Sequence, residues 1–268
     1  MDFPIIEFFE DEGFITKERY LASNEELAIK QAMLSQYKID TALLIFTRNF
    51  EKIQEDRPGA FEEFYYFKNG SNTNICYIYN KSFIVALSPL GSANASGLME
   101  ELGFLGITKF FACGSAGQID HNITSAGFIL VDRAIRDEGA SYHYLKPSVY
   151  VETDKELTNF IATYLSENNF EFNISTTWTT DAFFRETPLA IEKRTSQGAV
   201  AVEMECAGWA SVAKYRGYQF AQLLYFSDAV NQNWKWRPNK NELKNTIINL
   251  MIDCVEKFVK SNKKSTSS

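Results

Sequence analysis

Short apolar runs alternate with segments of helical period along most of this chain, and no other feature restricts the possible fold so strongly. TALLIFT (41–47), NICYIY and FIVALS read as three strands, the last two separated by the turn-like pair Asn80-Lys81. Ser23 and Glu26 have capping-box spacing ahead of a helix expected over 24–36. SANASGLMEELGFLG reads as a helix opened by Ser92 or Asn94, leading into the strand KFFAC and the glycine-rich GSAGQ. The second half repeats the scheme. FILVD is followed by a long polar and aromatic loop through Tyr150, then by a helix behind a second capping box, Thr153-x-x-Glu156. FNISTTW, GAVAVE and QFAQLLYFS supply further strands among the helices TPLAIEKRTSQ, MECAGWASVAKYRG, which ends at Gly217, and 239–260. Such interleaving predicts an α/β fold, with a mixed, largely parallel central sheet flanked by helices. With no Pro/Ser linker and no internal repeat, a single domain is expected over 1–260, followed by a flexible polar tail at 261–268.

Charge narrows the partners. Against 34 acidic residues stand 27 Lys and Arg, a formal net charge of -7, and no dense basic run interrupts the body of the chain. That balance argues against long nucleic acids and favours small ligands. Cys76, Cys113, Cys206 and Cys254 lack the close paired spacing of metal or redox motifs, so reduced cysteines in a cytoplasmic protein are expected, with no metal site. The acidic start MDFPIIEFFEDEGF lacks the order of a signal peptide, and no apolar stretch approaches the roughly 18 to 20 residues that span a bilayer, so no membrane partner is expected.

In sheets of this type ligands collect beyond the carboxyl ends of strands, which draws attention to polar residues directly after apolar runs. Four places qualify. In Cys113-Gly114-Ser115-Ala116-Gly117 the glycines admit an anion or sugar close to backbone amides, and Ser115 adds a hydroxyl; a purely structural glycine turn reads equally well. Val202-Glu203-Met204-Glu205-Cys206 sets two carboxylates where a strand hands over to a helix, suited either to the vicinal hydroxyls of a ribose or to capping the helix. Ser227-Asp228 ends an apolar strand with an acid able to donate a proton or merely to start a turn. Thr180-Asp181-Ala182-Phe183-Phe184-Arg185-Glu186 offers aromatic rings that either stack on a planar base or join the core.

The order GSAG, DAFF, AVEMECAGWASVAKYRG and then a strand ending in Ser-Asp resembles the nucleoside phosphorylase family, which includes purine nucleoside and uridine phosphorylases and the nucleosidases of methylthioadenosine and adenosylhomocysteine. The likeness runs from about Thr41 to the C-terminal helix, and Ala134 to Tyr144 (AIRDEGASYHY) is similar to a segment of a phosphorylase-like branch. The resemblance implies cleavage of the N-glycosidic bond of a nucleoside through an oxocarbenium-like transition state. Phosphate attacks in one branch and water in the other. It further implies catalytic roles for Glu205 and Asp228, with Glu205 accepting ribose hydroxyls and Asp228 protonating a purine at N7. Met204 becomes the wall under the sugar, Phe183 the stacking ring, and Val202 and Glu203 neighbours of the base. Arg48, Gly114 and Ser115 would hold phosphate, which is a co-substrate; no cofactor is implied, and a homo-oligomer is expected.

The departures are specific. The family's phosphorylases usually carry a glycine-plus-arginine loop after the first strand, where this chain has Ile45-Phe46-Thr47-Arg48-Asn49-Phe50, and often an arginine where this chain has Ala112. Arg57 or a neighbouring subunit is a candidate for the missing cation, and Arg237 a candidate partner for Asp228. The nucleosidases' acidic cluster after the first strand is also missing, so Arg48 and AIRDEGASYHY favour phosphorolysis, with purine or broad specificity. Hydrolysis and a noncatalytic nucleoside-binding module stay open as alternatives. His143 is either a loop contact to substrate or a surface residue.

Overall fold

The computed structural model describes residues 13–47, 50–69, 72–123, 128–231 and 233–265. The acidic start, Arg48 and the end of the tail at 266–268 therefore lie outside the described residues. In chain order the elements are α1 (Lys17–Ala22), α2 (Glu25–Tyr37), β1 (Thr41–Ile45), α3 (Phe50–Asp56), β2 (Phe61–Asn69), β3 (Asn72–Tyr79), β4 (Phe83–Leu87), α4 (Ser92–Phe104) and β5 (Lys109–Gln118). There follow β6 (Phe128–Asp137), β7 (Tyr150–Glu152), α5 (Lys155–Glu167), β8 (Phe172–Thr180), α6 (Pro188–Ser196), β9 (Ala199–Glu203), α7 (Cys206–Arg216), β10 (Gln219–Ala229), β11 (Lys235–Trp236) and α8 (Lys240–Ser265).

All eleven strands among the described residues join one mixed sheet, in the order β11-β10-β6-β8-β9-β5-β1-β4-β3-β2, with β7 on β6. Because β5 and β10 also pair directly, the strands β5, β9, β8, β6 and β10 close into a ring. The run β4-β1-β5-β10 is parallel, as the alternation predicts, whereas the β2-β3-β4 meander and the β5–β9 and β6–β10 contacts are antiparallel. Asn80 and Lys81 both take left-handed φ, 45° and 50°, which is the hairpin turn their sequence suggests.

Alternate residues of the central strands feed two cores. Leu43, Ile45, Phe111 and Leu223 pack with the buried face of α8, while Ala42, Leu44, Phe110 and Phe220 pack with α4 and α7. The two helices of the second layer approach closely because Gly208 on α7 has no side chain: a Cβ there would sit 2.9 Å from Ser96 Oγ. Trp209 Nε1 then donates to the Ala95 carbonyl at 2.9 Å, tying α7 to α4.

Several local expectations need correction. Asn24, not the Ser23/Glu26 pair, caps α2 through Glu26 N, since Ser23 already ends α1. Asp154 rather than Thr153 caps α5, the Thr153 hydroxyl being drawn to the Val131 carbonyl at 2.8 Å. Neither Ser92 nor Asn94 caps α4; its N-cap is Gly91, and the Ser92 hydroxyl crosses to the Met204 carbonyl at 2.9 Å. GSAG is not a strand-to-helix turn but the end of β5, continuous with KFFAC. The last helix runs through 261–265, into the segment expected as tail.

Candidate functional site

Where β5, β9 and β10 end, a cavity of about 680 Å³ opens. It is walled by Gly114 and Ser115 of β5, by Val202 to Glu205 of the β9–α7 junction, by Asp228 of β10 and by Phe183 of the turn after β8. Eight of the nine residues singled out in the sequence thus share one cavity; Arg48, the ninth, lies outside the described residues.

The two glutamates of VEMEC do different work. Glu203 ends β9 with its Oε2 accepting the amides of Glu205 and Cys206, both at 2.7 Å, and its Oε1 accepting the Thr179 hydroxyl at 2.5 Å. Thr179 in turn accepts Ala207 N at 3.0 Å, so the strand end and the start of α7 are locked together. Both oxygens of Glu203 are engaged within the protein. The helix-capping alternative describes this carboxylate better than direct contact with a base. Glu205 is only 4% exposed and accepts Gly91 N through Oε1 at 2.6 Å, and the Met204 backbone also favours its charged form. Burial pushes both carboxyls up, and the charge of Glu203 pushes Glu205 further, while the three hydrogen bonds to Glu203 hold negative charge there. A hydroxyl pair arriving at Glu205 would add further donors to that carboxylate.

At the other end, Asp228 (8% exposed) accepts Ser227 Oγ at 2.7 Å and Trp234 Nε1 at 2.8 Å. The WKWRP segment folds back as β11, pairing Trp236 with Asp228 and sending Arg237 N to the Ser227 carbonyl at 2.8 Å. Arg237 is therefore not the partner of the acid: its guanidinium donates to Gln118 and lies over the Phe226 ring, 5.3 Å from the centroid, and the Trp234 indole fills the place expected for a cation. Gly117 makes this closure possible, because a Cβ there would fall 2.5 Å from Val230 Cγ2 and 3.1 Å from Val202 Cγ1.

Phe183 and Phe184 lie against one another with centroids 4.1 Å apart and planes tilted by 38°, at exposures of 48% and 87%. Their turn is braced from AIRDEGASYHY, since Gly139 N donates to Asp181 at 2.8 Å. Arg136 in that segment is buried, and its donors satisfy the carbonyls of Ser141, Leu145 and Lys146 and the hydroxyls of Ser141 and Ser148. The segment acts as internal scaffold. His143 is exposed and does not line the cavity.

Sequence reasoning missed one acid. Glu186, two residues beyond Phe184, lines the cavity, and burial together with the charge of Asp228 pushes its carboxyl up to about 7. The signal was present in Arg185-Glu186-Thr187-Pro188, where Thr187 caps α6 through Ala190 N and leaves Glu186 just ahead of the helix. No lysine or arginine among the described residues lines the cavity. Arg57 is not available to it, being held on the α8 side by Asp253 at 2.8 Å and by Asn249 and Tyr79. The described residues contain no cluster of metal-ligating side chains and no helix long and apolar enough to cross a membrane, and the four cysteines are buried and free.

Residues 40–259 match the family model of the Phosphorylase superfamily. Among curated proteins, this chain is 23% identical over 128 residues to a guanosine phosphorylase of Halorubrum lacusprofundi, covering 48% of this chain and 53% of that protein. It is 25% identical over 108 residues to a uridine phosphorylase of Haemophilus influenzae (40% and 43% covered) and 23% identical over 180 residues to that of Escherichia coli (62% and 70%). The chain thus spans about half the length of the first two relatives.

Proposed function

Because this chain belongs to the Phosphorylase superfamily, we propose that it is a nucleoside phosphorylase, a pentosyltransferase that cleaves the N-glycosidic bond with phosphate to give a free base and ribose 1-phosphate. The observation that carries the reading is the pairing of two buried acids, Glu205 and Asp228, at different walls of one cavity large enough for a nucleoside. Glu205 grips the ribose hydroxyls from the cavity wall, and Met204 packs under the sugar. Negative charge there stabilises the positive character that grows on the anomeric carbon as the bond lengthens. Asp228, oriented by Trp234 and Ser227, delivers a proton to the departing base, a contribution of roughly 10²- to 10⁴-fold for a placed general acid. Phe183 stacks on the base, Val202 forms its apolar wall, and Glu203 supports the site by holding α7. Gly114 and Ser115, with Arg48, receive phosphate.

A purine, or a broad range of nucleosides, is the preferred substrate, because acid catalysis suits a leaving group with a basic ring nitrogen and Glu186, its carboxyl pushed up to about 7, stands beside Asp228 at the base end. Free buried cysteines suit a reducing cytoplasm. The exposed aromatic rings at the rim suit a homo-oligomer. One observation favours hydrolysis as a second reading: four carboxylates and no described cation line the cavity.

A panel of inosine, guanosine and uridine assayed with and without phosphate decides. Phosphorolysis gives strict phosphate dependence and ribose 1-phosphate; free ribose in phosphate-free buffer supports hydrolysis; binding without release of base in either buffer leaves a noncatalytic module.

A further inference from the structure

Gln222 stands out on β10. Its neighbours on the same face of the strand, Phe220 and Leu224, are core residues, yet Gln222 puts a primary amide among them at 1% exposure. The side chain lines the cavity, and its carbonyl oxygen has no hydrogen-bond partner among the described residues. An unfilled buried acceptor costs stability, and an apolar residue of similar size would avoid that cost. The amide therefore stands ready for a donor that the folded chain itself does not supply.

Position says which part of a ligand that donor belongs to. Gln222 precedes Asp228 by six residues on β10, about 20 Å along the strand at roughly 3.3 Å per residue. It pairs in register with Ala112, whose small side chain leaves room, while Gly114 and Ser115 pair with Leu224 and Tyr225 next along the ladder. The amide thus lies on the far side of Ser115 from the acid at the base end, and Glu205 lines the same cavity. A group bound there, on the face of the sheet that Gln222 shares with Ala112 and Gly114, has to offer a donor to the amide oxygen and an acceptor to the amide nitrogen. Hydrogen phosphate meets that requirement, having one P–OH and several anionic oxygens. Sulfate, fully deprotonated near neutral pH, does not.

We propose that Gln222 is a binding residue for the nucleophile, receiving hydrogen phosphate on the floor of the cavity and discriminating against oxyanions that carry no proton. This rests on the phosphorolytic reading above. It adds a contact and an anion selectivity to that reading.

The test compares wild type with Gln222→Leu, nearly equal in volume and compatible with the surrounding core. Gln222→Leu should raise the KM for phosphate about tenfold or more while the KM for nucleoside stays within about twofold. Sulfate should be a weak competitor of wild type and a relatively stronger competitor, measured against phosphate, of the variant. An unchanged KM for phosphate, or a rise confined to nucleoside, overturns the proposal, as does equal discrimination against sulfate in both proteins. A thermal melt of both proteins identifies a folding defect, and Gln222→Met then repeats the measurement. Should wild type release base without phosphate, the phosphorolytic reading fails separately. Calorimetric titration of inorganic phosphate into both proteins then judges Gln222 alone: weaker binding in the variant supports its role, and equal or undetectable binding in both overturns it.

Discussion

The two ends of the cavity, which the proposed function assigns to sugar and to base, are built in opposite ways. Glu205 sits on a strand-to-helix junction whose every neighbour is pinned: Glu203 on the α7 amides, Ser92 on the Met204 carbonyl, Gly91 on Glu205 itself. Phe183, Phe184, Glu186, Trp234 and Trp236 come from turns and a two-residue strand, and four of these five have large exposed side chains. A rigid junction suits a carboxylate that has to meet growing charge without reorganising, and exposed turns suit recognition of a variable heterocycle. Under the proposed function, chemistry and selectivity fall on parts of the fold with different mechanical character.

Four substitutions sharpen or break that contrast. Glu205→Gln should have the largest effect, lowering kcat/KM about 10³-fold for every nucleoside, while the melting temperature holds or rises because a buried carboxyl pushed up beside Glu203 is replaced by a neutral amide. A loss confined to one base class in steady-state assays would move Glu205 to the recognition end. Asp228→Asn should cost purine nucleosides about 10²-fold in kcat and uridine far less, since only the former need a proton at N7. Equal losses would place Asp228 with the shared machinery. Phe183→Ala should raise the KM about tenfold by removing a stacking surface, whereas Phe184→Ala, on a ring 87% exposed, stays within about twofold.

The smallest effect concerns pH. The Glu186 carboxyl is raised from 4.5 to about 7, so the folded state binds its proton more tightly than the unfolded chain does. The contribution of Glu186 to stability is then fully present below about 4.5 and is lost as pH rises through about 7. Glu186→Gln should remove that decline, raising the melting temperature by roughly 2–4 °C at pH 8 and hardly at all at pH 4. Parallel melting curves for both proteins across that range would show that Glu186 feels no such burial.

Much of this site was legible because its residues follow apolar strands directly. GSAG, VEMEC and the Ser-Asp pair each adjoin a run that pattern alone marks as strand, so Ser115, Glu205 and Asp228 could be named before any coordinates. Glu186 escaped notice because burial and the nearness of Asp228 in space, not its place in the chain, change its chemistry. Caps were harder to read for a related reason: Ser92 and Thr153 each had a local helix amide and a distant carbonyl to choose between, and tertiary contact won both times. Short β7 and β11 carry too little pattern to be seen alone, yet β11 is what sets the Trp234 indole on Asp228.

Sequence by itself determined the layering, the location of both central acids at strand ends and the family to which the chain belongs, because periodicity and local motifs are written in neighbouring residues. Only the tertiary structure decided which glutamate of VEMEC holds the helix and which faces the cavity, that Arg57 and Arg237 are engaged elsewhere, and that Gln222 lies at the cavity floor with an unfilled acceptor. Each of those outcomes depends on competition among hydrogen-bond partners brought together from distant parts of the chain, and that competition exists only once the sheet has closed.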